Sequence, residues 1–194
     1  MSGIEKGISG CYSCLDRLLA KELTICALLP ERRHTMLVRK IRSKKTKSFL
    51  FLHGAIAAAY DKIPVAGKKI VDGLNRFIEK RKIEVTGPLI WSYKPFKGKL
   101  KLRAGFPVKK GTRGREPFAA KTEPTWKSIT AEYKGSMAHM FEAWEDFFAA
   151  IQRRGLTCHG DRREIYRKWV GFYSRDNITE LQIRLKKCKT PPIP

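Results

Sequence analysis

Lys127-Ser-Ile-Thr-Ala-Glu-Tyr133, followed by Lys134-Gly135 and then by apolar residues at Met137, Met140, Phe141, Trp144, Phe147, Phe148 and Ile151, decides the fold of this chain. The first part alternates, as a strand with one buried face requires; the second repeats at three- and four-residue steps, which gathers its apolar side chains on one side of a helix. Lys134-Gly135 is the turn between them, and Arg154-Gly155 closes the helix. Two more alternating runs follow, Arg163-Glu-Ile-Tyr-Arg-Lys-Trp169 and Ile178-Thr-Glu-Leu-Gln-Ile-Arg-Leu185, so Trp126 to Lys187 reads β-α-β-β.

The same order occurs about seventy residues earlier in the chain. Phe49 to Tyr60 is apolar and strand-like, and Ile63 to Ile83 carries a helical stripe of Ile70, Val71, Leu74, Phe77 and Ile78. Pro64 belongs to the first turn of that helix, where a missing N–H costs nothing. Gly87-Pro88 leads into Leu89-Ile-Trp-Ser-Tyr93, and Lys99-Leu-Lys-Leu-Arg-Ala-Gly-Phe106 alternates charged with apolar residues. One unit alone leaves a face wet, so two must pack side by side. The prediction is an α+β fold with pseudo-two-fold symmetry: an antiparallel sheet, two helices on one face and a groove between the repeats. The domain spans 49–189, with repeat one at 49–108, a Gly- and Pro-containing linker at 109–124 and repeat two at 125–189. A basic extension of unassigned role, 1–48, precedes it, and a frayed proline-rich tail, 190–194, follows.

Several segments also resemble the GyrI-like family: Gly87-Pro88-Leu-Ile-Trp-Ser-Tyr93, Arg103-Ala-Gly-Phe-Pro-Val108, Ala131-Glu-Tyr-Lys-Gly135, Glu164-Ile-Tyr166 and, above all, Thr179-Glu-Leu-Gln-Ile-Arg-Leu185. That family includes the effector-binding domains of bacterial multidrug regulators and stand-alone proteins. The resemblance implies a pocket for a lipophilic small molecule, and it places the glutamate of the Thr-Glu-Leu segment, Glu180, inside that pocket. Alternation alone puts Glu180, Gln182 and Arg184 opposite Leu181, Ile183 and Leu185, which equally describes a solvated face. Trp91, Tyr93, Tyr133 and Tyr166 are the aromatic wall candidates, with Trp126 and Trp169 as further aromatics. Trp91 and Tyr93 share a strand face, as do Glu164 and Tyr166; Trp169 falls opposite Tyr166.

A carboxylate among aromatic rings suits a lipophilic cation, which supplies counter-charge while its apolar body covers the rings. Neutral and anionic ligands stay open, because a lysine or arginine of this basic chain can answer the glutamate instead. Some stand-alone GyrI-like proteins hydrolyse strained cyclopropane rings with a pocket glutamate and tyrosine, so the resemblance also makes Glu180 with Tyr133 or Tyr166 a candidate catalytic set. No catalytic or cofactor motif stands out: there is no phosphate-binding glycine loop, Gly-x-Ser-x-Gly or His-Glu-x-x-His, and no cofactor is expected.

The chain carries 41 Lys plus Arg against 18 Asp plus Glu, a net charge of +23. These charges are spread along the chain, which describes a generally basic surface with non-specific nucleic-acid binding as its alternative. An inhibitory protein–protein role is a further alternative. Five scattered cysteines suit a reducing, cytoplasmic setting. The pair Cys11 and Cys14, with Cys26 and His34, lacks the second close pair that a zinc site needs. No apolar run is long enough to cross a membrane.

Overall fold

The structure, a computed structural model, describes residues 37–156 and 158–185. The Cys11/Cys14 pair, Cys26, His34, Cys188 and the 190–194 tail lie outside the described residues, as does most of the 1–48 extension. Among the described residues, eight strands form one antiparallel sheet: β1 (Val38–Thr46), β2 (Phe49–Ala58), β3 (Ile90–Phe96), β4 (Lys99–Val108), β5 (Ala119–Glu123), β6 (Trp126–Lys134), β7 (Cys158–Lys168) and β8 (Ile178–Leu185), in the order β1-β6-β8-β7-β3-β4-β2-β5. The helices are α1 (Ile63–Arg81) and α2 (Met140–Gln152).

Both β-α-β-β units are present. β7-β8-β6 of repeat two mirrors β3-β4-β2 of repeat one about the central β3–β7 pair. The breaks fall where the chain chemistry puts them. Pro64 occupies the first turn of α1, Lys82 caps that helix in the left-handed region, and Gly155, at φ 63°, follows α2. The two-residue hairpin between β3 and β4 takes positive φ at Lys97 and Gly98.

Two strands depart from the sequence reading. β1 pairs with β6 along its length, so residues 38–46 belong to the sheet although they fall within the span assigned to the extension. β5 lies in the span assigned to the linker and pairs with β2. These pairings share one register: Thr46 faces Trp126 and, three residues on, Phe49 faces Glu123. β1 therefore runs on into β2, and β5 into β6, as one long ladder that joins the outer edges of the two repeats.

Rows of paired residues define the faces. Ile56, Leu102, Tyr93, Arg162, Ile183 and Ile129 are successive cross-strand neighbours and share one face. Leu102 and Tyr93 pack into the core under α1, and Ile183 and Ile129 into the core under α2, so both helices cover the same side. α1 lies over β2 and β4, and α2 over β1 and β6, which leaves the β3–β7 strip between them. Leu74, Leu102, Phe147 and Leu181 are fully buried in these cores, each stabilising the fold by roughly 1.5–3 kcal/mol.

The other face buries a small apolar cluster of Phe51, Ile90 and Ile165 and, beside it, a group of charged residues. Glu123, 4% exposed, accepts hydrogen bonds from the guanidinium groups of Arg103 and Arg163. The Arg163 guanidinium lies 3.5 Å from the centre of the Trp126 ring. Burial holds the pKa of Arg163 down at about 10 against the pull of Glu123. Burial also raises the Glu123 pKa, but the two arginines outweigh it and hold the group below the usual carboxylate range.

Glu123→Gln leaves both guanidiniums without a counter-charge and is expected to cost about 3 kcal/mol in denaturant unfolding. Because the folded pKa is depressed, Glu123 contributes stability above the unfolded carboxylate pKa of about 4.3, and this is lost as pH falls through the folded value. The variant's melting temperature should therefore depend less on pH in the acid limb than the parent's.

Candidate functional site

Along the strip between the helices, β3 and β7 pair from Ile90 with Ile165 to Tyr93 with Arg162. Alternation sends Trp91, Tyr93, Arg162, Glu164 and Tyr166 to the helix side and Ser92, Arg163 and Ile165 to the other. Glu164 is the polar centre of this group and is only 5% exposed. Trp144 Nε1, from α2, donates to its Oε1 at 2.8 Å; the hydroxyls of Tyr93 and Tyr166 donate to its Oε2 at 2.8 and 2.6 Å. Repeat one supplies Tyr93 and repeat two the rest, so the arrangement is complete only when the repeats have packed. No cation forms an ion pair with Glu164 among the described residues.

An indole N–H can only donate, so Oε1 must accept, and the phenols complete a set of neutral donors around a buried carboxylate. Burial is the largest effect on the two hydroxyls, and the Glu164 charge adds to it. Both phenol pKa values stand well above the ordinary range, with Arg162 opposing the rise at Tyr93 and the Tyr93 hydrogen bond opposing it at Tyr166.

Trp91 forms the apolar wall. Its ring meets Tyr93 and Tyr166 edge-on, with centroids 6.5 and 5.9 Å apart. Gly67 of α1 admits it: a Cβ there would stand 2.4 Å from the indole. The Trp91 N–H and the Thr179 hydroxyl, both on the helix side of the sheet, are buried without a hydrogen-bond partner among the described residues. Trp169 joins from beyond the strand, its ring edge-on to Tyr166 at 5.8 Å. The register shifts between Tyr166 and Lys168, which breaks the alternation that would have turned Trp169 away.

Glu180 does not belong to this group. It stands across from Ile165 and Glu132 on the face away from the helices, where Lys44, Arg167 and Gln182 donate to it at 2.7, 2.6 and 2.7 Å. Burial raises its pKa, but these donors outweigh burial and leave it lowered. The alternation of Leu181 and Ile183 against Glu180 holds, and the glutamate on the Leu181 side, beneath the helices, is Glu164, paired across with Leu181. Tyr133 is on the helix side but serves the α2 core, its hydroxyl donating to the Ser136 carbonyl at 2.6 Å. The set Glu180, Tyr133 and Tyr166 is therefore split between the two faces of the sheet. Trp91, Tyr93 and Tyr166 are brought together. The cue for Glu164 was its position two residues from Tyr166, obscured by the charges of Asp161-Arg162-Arg163 beside it.

The two-repeat sheet with paired helices over one face and an aromatic strip between them is the GyrI-like fold. The EcmrR C-terminal domain superposes with a TM-score of 0.65 at 15% identity, covering 78% of this chain and 99% of that one. SAV2435, bound to tetraphenylphosphonium, gives 0.62 at 11% identity over 77% and 95% of the two chains. EcmrR in its complex with DNA gives 0.66 at 16% identity; the match covers 89% of this chain but 65% of that protein's length. By sequence, the chain matches no protein-family model and no curated protein.

Tyr93 and Tyr166 are expected to ionise well above the ordinary phenol range in an alkaline spectrophotometric titration. Their raised values mean that they contribute stability below the unfolded phenol pKa of about 10, lost as pH rises through the folded values. Glu164→Gln removes the charge and should bring both transitions to lower pH.

Proposed function

We propose that this protein binds a lipophilic small molecule in the groove between the two helices, with Glu164 as its polar anchor and Trp91, Tyr93 and Tyr166 as its apolar walls. The observation that carries this reading is the buried Glu164 carboxylate, answered by three neutral donors and, among the described residues, by no ion pair. A buried anion with neutral partners is stabilised further by any positive charge that approaches, and aromatic rings around it favour a ligand that carries apolar, aromatic groups. The tetraphenylphosphonium complex of SAV2435, a protein of the same fold, supports a lipophilic ligand class that includes cations.

Tryptophan fluorescence of the full chain should report binding of tetraphenylphosphonium or of its uncharged relative triphenylphosphine oxide. Glu164→Gln keeps the shape and removes the charge, so tetraphenylphosphonium affinity should fall about tenfold, near 1.4 kcal/mol, with a smaller change for the oxide. Glu180→Gln, on the opposite face, should leave both affinities as they are. Equal affinities in the parent and Glu164→Gln, or a loss on Glu180→Gln instead, would return the site to the other side of the sheet.

A further inference from the structure

Two residues from Glu164 along β7 and on the same side of the sheet stands Arg162, 8% exposed. Its side chain makes no hydrogen bond or ion pair among the described residues. Its guanidinium carbon lies instead 5.9 Å from the ring centres of Tyr60 and Tyr93, 5.7 Å from that of Trp144 and 5.8 Å from that of Phe148. Four rings around one cation form a cation-binding box, because each ring turns the negative face of its quadrupole towards the charge. Tyr60 and Tyr93 come from repeat one, Trp144 and Phe148 from repeat two, so this box, like the Glu164 donor set, spans the interface between repeats.

The box and the carboxylate share two rings. Trp144 and Tyr93 give their polar edges to Glu164 and lie against the guanidinium of Arg162. A positive charge in the box therefore answers Glu164 through the same two side chains that donate to it. At the outer side the box is open: Tyr60 is 54% and Phe148 37% exposed, so a long, unbranched arginine can leave towards solvent without moving a strand. The cavities of about 670 Å³ beside Phe77 and Lys109 and about 250 Å³ against Trp126 lie elsewhere and are not lined by these residues.

Resting on the binding site proposed above, we infer that Arg162 is the resident occupant of its cation subsite and determines its specificity: an external cation binds only by displacing the Arg162 guanidinium, whereas an uncharged ligand gains nothing from that exchange. Arg162 thus sets a threshold. A cation must offer more aromatic and apolar contact than the guanidinium it replaces, which selects large arylcations over small alkylammonium ions.

Arg162→Met keeps the length of the side chain and removes its charge. Tetraphenylphosphonium should bind this variant at least tenfold more tightly than the parent, while triphenylphosphine oxide changes less than threefold. An equal or weaker tetraphenylphosphonium affinity overturns the inference, as does an equal gain for the oxide, since Arg162 would then only fill space. A measurement on the parent protein makes the test independent of how the variant folds. The Arg162 side-chain Nε–H signal should be ring-shifted in the NMR spectrum and move to the position of an exposed arginine when tetraphenylphosphonium is added. Binding that leaves this signal in place also overturns the inference. If tetraphenylphosphonium binds neither protein, Arg162 is not a competitor for cations; binding of the oxide, lost or kept, still decides separately whether the groove is a ligand site.

Discussion

The continuous ladder from β1–β2 to β5–β6 is the constraint on which the rest depends. A β-α-β-β unit has a free outer edge, and here the strand that precedes each repeat covers the edge of the other: β1 covers β6, and β5 covers β2. With the edges exchanged, the repeats cannot separate without exposing unpaired backbone along both of them. At the centre β3 and β7 meet with Tyr93 opposite Arg162 and Trp91 opposite Glu164. That pairing sets Trp91 and Tyr93 beside Glu164 and Tyr166.

The two faces of the sheet spend their charges differently. Away from the helices, Glu123 and Glu180 are each met by cations, and Asp161 lies beside Lys94 and Arg184. Such pairs are satisfied within the chain and offer a ligand little. Between the helices the same residue types are kept apart, with Glu164 held by neutral donors and Arg162 by rings. The cost of leaving a buried carboxylate without a direct counter-ion falls on the site itself, where stability is commonly given up for binding.

Eight elements were legible because two periods alternate cleanly along the chain and glycine or proline marks their ends. The two that escaped are the exchanged strands. In β1, Val-Arg-Lys-Ile-Arg-Ser-Lys-Lys-Thr, only Val38 is buried, so lysines and arginines mask any alternation; β5 is five residues long, too short to show a period. Strand parity correctly pairs Trp91 with Tyr93 and Glu164 with Tyr166 on shared strand faces, but it does not say which of these faces meets the helices. Only the packed structure shows which face the helices take, and they cover the face of Glu164 and not that of Glu180.

The exchanged strand also bears on the order in which this chain is made. Thr46 and its partner Trp126 are 80 residues apart, so β1 leaves the ribosome long before β6 exists, and contacts that distant slow folding. An apolar strand waiting that long is an invitation to aggregate. β1 carries Arg39, Lys40, Arg42, Lys44 and Lys45 instead, charges that keep a lone strand in solution until the second repeat is synthesised.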